Sequence, residues 1–556
     1  MITVPFIVKR FRAVCICLLL AAAPAAGLDV AVPYVQADYL WAQGYTGTGL
    51  EVGVLDLFVA DNSHPAISGS YVGEINFAGG GLWASAHATQ VTGTAVGQDD
   101  TYKGMAPGAG WWTGQTTKRS SMTTMRTQVI AAETFAQGLG SLAGNPVEVI
   151  TLSIGLGGDT RGLDQWSLAL DHVVNTNGRT VTVAAGNSGP NLDTLDGLPV
   201  GAFNAIIVGA TGGTGGGASE DYTRLAGYSS RGPTTDGRCK PDIVAPGSVM
   251  HMPTLGGGWT DSNGTSFATP MVAGGAALLI DMGESLGYST DPKVIKSVLL
   301  NSADKLDGWS HTPTQPLDYG QGAGQMNLRS AHRQYLSGQR GPGAVPGIGW
   351  DLRELAHDGE HLYAMDVDLP AGAVVAATLT WDRVVTSDSE DVEEVVYSFD
   401  HLDNLQLYLY EAGDLTEPVA ASASVIDNVE HIYYTVATAG RYVVGTEMFA
   451  SVPGDLETCA VTWRAFPGPG MDLPGDANLN GVTDGGDYTL WADHYGADNL
   501  TWFEGDFSGD GTADGSDYTI WADAYGSGLV GSPVPEPACL LLLAGGLIVA
   551  SRRRKS

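Results

Sequence analysis

Residues 263–274 have the sequence Asn263-Gly264-Thr265-Ser266-Phe267-Ala268-Thr269-Pro270-Met271-Val272-Ala273-Gly274. This stretch places a serine on a tight glycine turn, directly before an apolar run that is typical of a buried helix. Backbone N–H groups at the start of a helix lack partners within the helix and can stabilise developing negative charge. We therefore expect Ser266 to stand at the start of an apolar helix, beside N–H groups that can bind an anion.

Upstream of this stretch, short apolar runs alternate with helical stretches. The runs are Glu51–Leu55, Val147–Ser153, Thr180–Ala185 and Ala205–Gly209. Continuous Val/Ile runs interleaved with helices are typical of a parallel sheet that is covered on both faces. For residues 28–338 the sequence thus predicts an α/β domain, with a parallel sheet and helices on both faces.

Two further side chains lie where such a sheet would present chemistry. Asp56 ends the first apolar run, and ligands of open α/β sheets gather at the carboxyl ends of the strands. His87 begins a helix of small residues. Alone, the aspartate would be read as a helix cap and the histidine as a core group. Serine catalysis of acyl transfer needs a base in hydrogen-bond reach and an acid that holds the base's tautomer, so Asp56, His87 and Ser266 form a candidate triad.

The order Asp, His, Ser and its surroundings resemble the subtilisin-like serine proteases, the subtilases. Residues 264–270 are similar to the serine signature of that family. The matches cover nearly all of residues 40–330. Further segments that resemble the family are Gly104–Pro107, Val181–Gly189, Ser229–Pro233 and Lys240–Gly247.

The resemblance implies a serine endopeptidase that acts on protein or peptide substrates. Ser266 Oγ would attack the scissile carbonyl, and His87 would take its proton and return it to the leaving amine. Asp56 would orient His87, while the Asn187 side chain and the Ser266 N–H would bind the oxyanion. The segment Ser153-Ile154-Gly155 would pair with the substrate backbone as an added strand.

Several positions depart from the family pattern. Leu57 and Phe58 stand where the family usually has a small hydroxyl residue and glycine, and a bulky side chain cannot adopt positive φ cheaply. Ala88 and Gln90 stand where the family has glycine and a second histidine. The predicted domain also begins directly after a signal, with no room for the usual propeptide. The alternative is therefore a catalytically inactive subtilase scaffold that serves as a binding protein at the cell surface.

The sequence pattern changes after the predicted peptidase domain. Gly341–Gly349 is rich in glycine and proline and predicts a linker. Residues 350–467 alternate apolar and polar positions, which predicts an antiparallel β-sandwich, and they resemble the jelly-roll-like sandwiches that follow many secreted subtilases. The acidic run Asp388–Glu394 predicts a solvated loop, with a calcium site there as the alternative.

Residues 474–528 contain two acidic loops, and the second repeats the first 30 residues later. Each loop has oxygen ligands at positions one, three, five, nine and twelve, a glycine at six and a backbone carbonyl at seven, which predicts Ca²⁺ binding. The ligands of the first loop are Asp476, Asn478, Asn480, the Val482 carbonyl, Asp484 and Asp487. Those of the second are Asp506, Ser508, Asp510, the Thr512 carbonyl, Asp514 and Asp517.

The two loops and the stretch after each of them resemble a type I dockerin module. The last ligand is aspartate, and no helix is predicted before either loop. The resemblance implies a cohesin-type partner that docks on the helices after the loops. Trp491 and Trp521 are candidate anchors for that partner, or else they fill the small core of the module. The alternative is that the repeat is only a calcium-stabilised C-terminal cap.

Both ends of the chain are predicted to be targeting segments. Residues 1–27 combine basic residues, an apolar run and small residues, as a secretory signal peptide does. Residues 533–556 resemble the PEP-CTERM sorting signal, with motif, apolar stretch and basic end in order. That resemblance implies exosortase processing, with transient membrane association through the tail and an extracellular or cell-surface location. A permanent transmembrane tail anchor is the alternative.

The composition argues against a nucleic-acid-binding protein. The 556 residues carry a formal charge of −34, whereas binding to nucleic-acid phosphates needs clustered Lys and Arg. Outside the predicted targeting segments the only cysteines are Cys239 and Cys459. They fall in different predicted domains, so we expect two buried thiols and no disulfide.

Overall fold

The computed structural model describes residues 27–117, 124–195, 197–213, 221–389, 391–449, 456–468, 473–480 and 482–527. The predicted signal peptide, apart from Gly27, and the predicted sorting tail therefore lie outside the described residues.

A seven-stranded parallel sheet forms the centre of the first domain, in the strand order β2-β3-β1-β4-β5-β6-β7. The predicted parallel sheet is thus confirmed. Asp56 is the last residue of β1. The apolar run before it is buried on both faces, as expected for a strand in the middle of the sheet. The strands are β1 (Glu51–Asp56), β2 (Tyr71–Asn76), β3 (Gly110–Gln115), β4 (Val149–Leu152), β5 (Thr180–Ala184), β6 (Ile206–Thr211) and β7 (Ile243–Pro246).

Helices cover both faces of this sheet, as predicted. One buried cluster contains the apolar residues of α3 and α6, and a second contains those of α4 and α5. The helices are α1 (Leu28–Tyr34), α2 (Ala37–Ala42), α3 (Ala86–Val96), α4 (Met125–Gln137), α5 (Gln165–Asn175), α6 (Thr265–Leu286), α7 (Pro292–Asn301) and α8 (Leu328–Leu336). Short 3₁₀ turns occupy Ser68–Ser70 and Gly140–Leu142, and the hairpin of β8 (Met250–Thr254) and β9 (Gly258–Ser262) contacts α3.

Helix α6 follows Gly264 and carries Ser266 in its first turn. Among the described residues it is the one helix long and apolar enough to cross a membrane, and 89% of its most apolar window is buried inside the protein. Its apolar composition is explained by its position in the core, where small residues let neighbouring elements approach closely.

Two further sheets follow, in the strand orders β10-β12-β19-β16-β17 and β11-β20-β13-β18. Their strand pairs are antiparallel, as predicted, except that β10 pairs with β12 in parallel. Their facing sides share one core that contains Trp381 and Trp463. The strands are β10 (Gly343–Val345), β11 (Ile348–Ala356), β12 (Glu360–Met365), β13 (Val374–Thr380), β16 (Leu405–Glu411), β17 (Ala420–Ser422), β18 (Val429–Thr435), β19 (Tyr442–Met448) and β20 (Leu456–Phe466), and a separate hairpin has β14 (Val384–Ser387) and β15 (Tyr397–His401).

The prediction of a linker at Gly341–Gly349 is wrong for most of this segment. It contains β10, which pairs with β12, and the first residues of β11, which pair with Arg464 and Trp463 of β20. Glycine and proline indicate local flexibility, but pairing with strands far along the chain outweighs that preference. The acidic run Asp388–Glu394 forms the connection between β14 and β15, and its described acidic side chains are exposed, as expected.

The sandwich packs closely on the first domain. Helix α7 lies against β13 and β20, and Ser297 Oγ is 2.9 Å from Thr462 Oγ1. Residues of the β14–β15 hairpin, including Tyr397, join the core around α4 and α5. Cys239 of the first domain and Cys459 of the sandwich are both buried free thiols, as predicted. The two predicted domains thus share buried interfaces and are not connected by a flexible tether.

Two short helices, α9 (Gly485–Asp493) and α10 (Gly515–Ala524), follow the two acidic loops, with a 3₁₀ turn at Trp502–Glu504 between them. The indole N–H of Trp491 donates to Asp514 O at 2.9 Å, and that of Trp521 donates to Asp484 O at 2.8 Å. Both tryptophans are half-buried and join the two repeats, which fits the core role and not the role of free anchors.

Candidate active site

The carboxylate at the end of β1 meets the imidazole at the start of α3. Ser85 caps α3 by accepting a hydrogen bond from Ala88 N at 3.0 Å, which places His87 in the first turn. His87 Nδ1 lies 2.6 Å from Asp56 Oδ2. The other oxygen, Asp56 Oδ1, accepts a hydrogen bond from Leu57 N at 2.6 Å. Asp56 is buried, so two hydrogen bonds hold its carboxylate in one orientation.

Two opposing effects set the pKa of His87. Burial lowers the pKa. The hydrogen bond to Asp56 and the negative charge of Asp56 raise it by more than burial lowers it, so the pKa lies above the ordinary value of 6.5. When the imidazole is neutral, donation from Nδ1–H to Asp56 leaves the lone pair on Nε2. The side chain of His87 is 38% exposed, so solvent and ligands can reach it. The geometry therefore provides an oriented base.

Ser266 enters the same region from the start of α6. The next residue along, Phe267, places its ring centroid 5.8 Å from that of His87. Ser153 Oγ donates to Ser266 O at 2.7 Å, and Ser266 Oγ donates to Ser153 O at 3.3 Å. Within the described residues, no hydrogen bond joins Ser266 Oγ to His87 Nε2. For Ser266 to act as a nucleophile, its hydroxyl would have to turn from the carbonyl to the imidazole, and such contacts often tighten only when substrate binds.

Asn187 follows β5 and is oriented by the residue before the serine. Its Oδ1 accepts hydrogen bonds from Thr265 N at 2.9 Å and from Thr265 Oγ1 at 3.2 Å. This leaves the Nδ2 hydrogens of Asn187 for a ligand. Asn187 and Ser266 line a cleft of about 270 Å³ whose lining residues are all uncharged. The lining consists of Ser153, Ile154, Gly155, Leu156, Gly157, Ala184, Gly186, Asn187, Val200, Thr265 and Ser266.

The residues that depart from the family pattern fit without strain. Neither Leu57 nor Phe58 has a positive φ, so the expectation of a costly backbone conformation at Phe58 is wrong. Their negative φ values are ordinary for large side chains. Ala88 is buried inside α3, and Gln90 Nε2 donates to Ser262 Oγ at 2.8 Å, which ties α3 to β9. These substitutions therefore leave the pairing of His87 with Asp56 intact.

The two acidic loops of the repeat fold in the same way. In the first, Asp476 Oδ1 accepts from Asn480 N at 3.1 Å, and Asp487 accepts from Asn478 N and Asp484 N at 3.2 and 2.8 Å. Val482 N donates to Asn480 Oδ1 at 2.9 Å. These bonds hold the first and last acids against the backbone of the same loop.

The second loop repeats this arrangement. Asp506 Oδ1 accepts from Asp510 N at 3.1 Å, and Asp517 accepts from Ser508 N and Asp514 N at 2.6 and 2.8 Å. Thr512 N donates to Asp510 Oδ1 at 2.9 Å. One carboxylate oxygen from each of three acids lies within 4.8 Å of the others; these acids are Asp506, Asp510 and Asp517.

The donor set of these loops fits a hard cation. All the converging side-chain atoms are oxygens, apart from the amide nitrogens of the two asparagines, and Ca²⁺ is bound by six to eight oxygens. Burial, together with the negative charges of Asp476 and Asp484, raises the pKa of Asp487 to about 6 against its backbone hydrogen bonds. Buried acids that repel one another are stabilised by a shared cation, so the predicted residues fit calcium.

The second loop touches the first domain, a contact that the sequence does not predict. Arg333 of α8 forms an ion pair with Asp506 and donates to Leu500 O at 3.0 Å. Arg329, one turn earlier, donates to Ser508 O. Two arginines spaced four apart on a helix face are common, so only the fold shows that these contact an acidic loop.

Comparisons with known proteins show the family to which this chain is similar. Residues 47–324 match the subtilase family, and residues 533–555 match the PEP-CTERM protein-sorting motif. Pyrolysin from Pyrococcus furiosus is 34% identical over 253 residues, which are 41% of this chain and 17% of the pyrolysin. Serine protease AprX from Bacillus subtilis is 29% identical over 305 residues, covering 50% of this chain and 66% of AprX. Subtilisin DY from Bacillus licheniformis is 29% identical over 279 residues, covering 49% of this chain and 92% of that protein.

The chain thus spans about one sixth of the pyrolysin and just under two thirds of AprX. The family match covers the whole sheet from β1 to β7, together with α3 and α6, which carry the imidazole and the serine. On this agreement of sequence and architecture, the chain belongs to the subtilase family.

Proposed function

We propose that the chain is a serine endopeptidase that hydrolyses peptide bonds through an acyl-enzyme on Ser266. The observation that carries the proposal is the 2.6 Å contact of His87 Nδ1 with Asp56 Oδ2, beside a cleft lined by Ser266 and Asn187. An oriented base, a hydroxyl and a free amide donor are the groups that acyl transfer needs.

In the proposed mechanism, His87 Nε2 removes the proton from Ser266 Oγ as the oxygen attacks the scissile carbonyl. Asn187 Nδ2 and the Ser266 N–H stabilise the oxyanion, and Asp56 stabilises the imidazolium. The tetrahedral intermediate then breaks the C–N bond, and His87 gives its proton to the leaving amine. A water molecule, deprotonated by His87, hydrolyses the ester and restores the serine.

Substrate binding follows from the position of the residues after β4. Ser153-Ile154-Gly155 line the cleft, and we infer that an extended substrate pairs with their backbone as an additional strand. The cleft is lined only by uncharged residues, which favours an uncharged substrate side chain next to the scissile bond.

Casein turnover by the full chain with calcium tests the proposal against the alternative of an inactive binding protein. We expect turnover by the wild type and its loss in His87→Ala. His357→Ala is the matched control, because His357 pairs with Asp358 on the surface of the sandwich. Equal turnover in the wild type and His87→Ala, or none in a folded wild type, would contradict the proposal.

We also propose that the two acidic loops bind Ca²⁺ through the predicted ligands. Bound calcium would neutralise the converging acids and fix each loop to the helix that follows it. The contacts of Arg329 and Arg333 with the second loop favour a calcium-stabilised cap on the first domain, as does the packing of Leu479 and Phe503 into the sandwich core.

A cohesin-type partner is the second candidate role of the repeat. The exposed side chains of Tyr488 and Tyr518, on α9 and α10, favour it, because they stand at equivalent positions of the two repeats. Capture of a cohesin module by the full chain in calcium, abolished by EDTA, would support this role. No capture in calcium would leave the cap as the role of the repeat.

The PEP-CTERM motif supports export to the cell surface or the extracellular space. We propose that the tail gives transient membrane association until it is processed. An intact tail on the protein recovered from the medium would contradict this processing.

A further inference from the structure

A cluster of metal-binding side chains lies in the sandwich, apart from the triad and the acidic loops. His401 ends β15, Asp403 stands in the connection to β16, and Glu457 is the second residue of β20. One ligand atom from each of the three lies within 4.8 Å of the others. The side chains of Asp403 and Glu457 are buried, whereas that of His401 is 37% exposed. The cluster therefore combines two buried carboxylates with an imidazole that solvent can reach.

The histidine is oriented as a metal ligand would be. His401 Nδ1 lies 3.2 Å from Asp400 Oδ2, so the neutral ring donates its proton there and keeps the lone pair on Nε2. A carboxylate that accepts the second ring N–H is the usual support of a metal-binding histidine. His401 Nε2 lies 3.8 Å from Asp403 Oδ2, which is too long for a hydrogen bond. The separation is close to that of two atoms that share an ion at about 2.0–2.2 Å.

The lysine beside the cluster is already paired with other acids. Lys293 is the ammonium group next to these acids, and its Nζ lies 3.1 Å from both Asp291 and Asp382. Buried carboxylates are normally paired with cations or coordinate a metal, and Lys293 is already paired with Asp291 and Asp382.

We propose that His401 Nε2, Asp403 and Glu457 bind a divalent transition-metal ion of the zinc class. The imidazole selects against Ca²⁺ and Mg²⁺, which prefer oxygen ligands alone. Three protein ligands leave a fourth tetrahedral position for water on the side that His401 exposes. The ion would join the β15–β16 connection to β20 and stabilise the sandwich where it meets α7.

Zinc binding to the full chain tests this site. The chain carries Ser266→Ala to prevent self-cleavage and is saturated with calcium, and Zn²⁺ is titrated by calorimetry with the bound metal counted by elemental analysis. We expect His401→Ala and Glu457→Gln each to lose one zinc ion per chain or to weaken its affinity by at least about tenfold. His357→Ala, which removes a surface histidine of the same sandwich, should bind as the parent does.

Glu457→Gln keeps the volume of the side chain, and its thermal unfolding without zinc should match that of the parent, so that a loss of zinc reports the ligand and not the fold. X-ray absorption of the zinc complex should show an imidazole nitrogen that His401→Ala removes. Unchanged stoichiometry and affinity in both variants would overturn the proposal.

Discussion

At the scale of single residues, the contact between His87 and Asp56 sets when the proposed base can act. Asp56 raises the pKa of His87 above 6.5 despite partial burial, so the imidazole keeps its proton to a higher pH than a free histidine. A protonated imidazole cannot accept the serine proton. Activity should therefore increase with pH, as the proton is lost.

We predict that kcat/KM for a peptide substrate rises with pH and reaches half its maximum above pH 6.5. In Asp56→Asn the midpoint should fall, because the negative charge is gone, and kcat should drop by about 10⁴-fold, the known cost of this change in a serine-protease triad. Asp61→Asn is the control, since Asp61 lies on a nearby loop and bonds to Ser63 and Gly256 N. A midpoint that stays in place in Asp56→Asn would contradict the assignment of the base.

The residues of the proposed site could be predicted because their signals are local. Asp56 ends an apolar strand, His87 begins a helix, and Ser266 follows a glycine turn, so each sequence pattern contains its own structural context. The rotamer of Ser266 could not be predicted, since it depends on the Ser153 carbonyl. The strain expected at Phe58 was wrong because residue type alone does not fix φ at a strand end.

At the scale of elements, the close approach of α3 and α6 determines the distance between the proposed base and nucleophile. A Cβ on Gly274 of α6 would lie 2.3 Å from Met105 Cβ and 3.0 Å from Ala95 O at the end of α3. Such distances require the neighbouring elements to move. Glycine at this position therefore allows α6 to pack closely against the end of α3.

We predict that Gly274→Ala destabilises the chain by about 1–3 kcal/mol, as overpacking of a core does, and also lowers kcat. Gly515→Ala is the matched control, because a Cβ there meets no atom within 4 Å. Denaturant unfolding and peptide turnover measure the two effects. Equal stability of Gly274→Ala and the wild type would show that α3 and α6 do not limit each other.

Elements were predictable where their pattern is continuous and were missed where pairing is long-range. The runs of β1 and β5 are mostly apolar and almost completely buried, and they were found. Strand β10 has three residues in a glycine-rich stretch, and its pairing with β12 follows only from the fold. In the same way, the partners of the Trp491 and Trp521 indoles lie in the other repeat.

At the scale of the whole molecule, a buried ion pair joins the sandwich to the first domain. Arg383, just before β14, pairs with Asp171 of α5, and Asp171 Oδ1 also accepts from Asn204 N at 2.8 Å. The guanidinium of Arg383 lies 4.1 Å from the ring centroid of Phe203. Both charged side chains are almost completely buried, so neither can exchange its partner for water.

We predict that Arg383→Ala destabilises the full chain by about 3–5 kcal/mol, because it leaves Asp171 buried without its cation. Arg441→Ala removes an exposed arginine that pairs with Asp366 and Asp368, and it should change stability little. Thermal unfolding of both variants measures the difference. Equal effects of the two changes would show that the interface does not depend on this pair.

Calcium should act on the molecule through the acidic loops. We predict that EGTA lowers the unfolding temperature of the wild type, and that Asp517→Asn binds one calcium ion fewer. In EGTA, Asp517→Asn should be at least as stable as the wild type, because it removes repulsion among buried acids, whereas in calcium it should be less stable. Asp523→Asn, an exposed acid at the end of α10, is the control. Full calcium binding by Asp517→Asn would contradict the ligand assignment.

Contacts between distant segments could not be predicted from the sequence patterns. Three such contacts join residues more than 50 positions apart in the chain: Arg383 with Asp171, Arg333 with Asp506, and His401 with Glu457. Each residue alone is an ordinary charged or titratable group. The sequence could indicate three folded regions, but not that they pack as connected parts of one structure.

The most direct test of the account is covalent labelling of the full chain by a serine-directed phosphonylating inhibitor, followed by mass spectrometry of its peptides. We predict one adduct per chain, located on Ser266, with no adduct in Ser266→Ala and much slower labelling in His87→Ala. Equal labelling of the wild type and Ser266→Ala, or no labelling of a folded wild type in calcium, would contradict it.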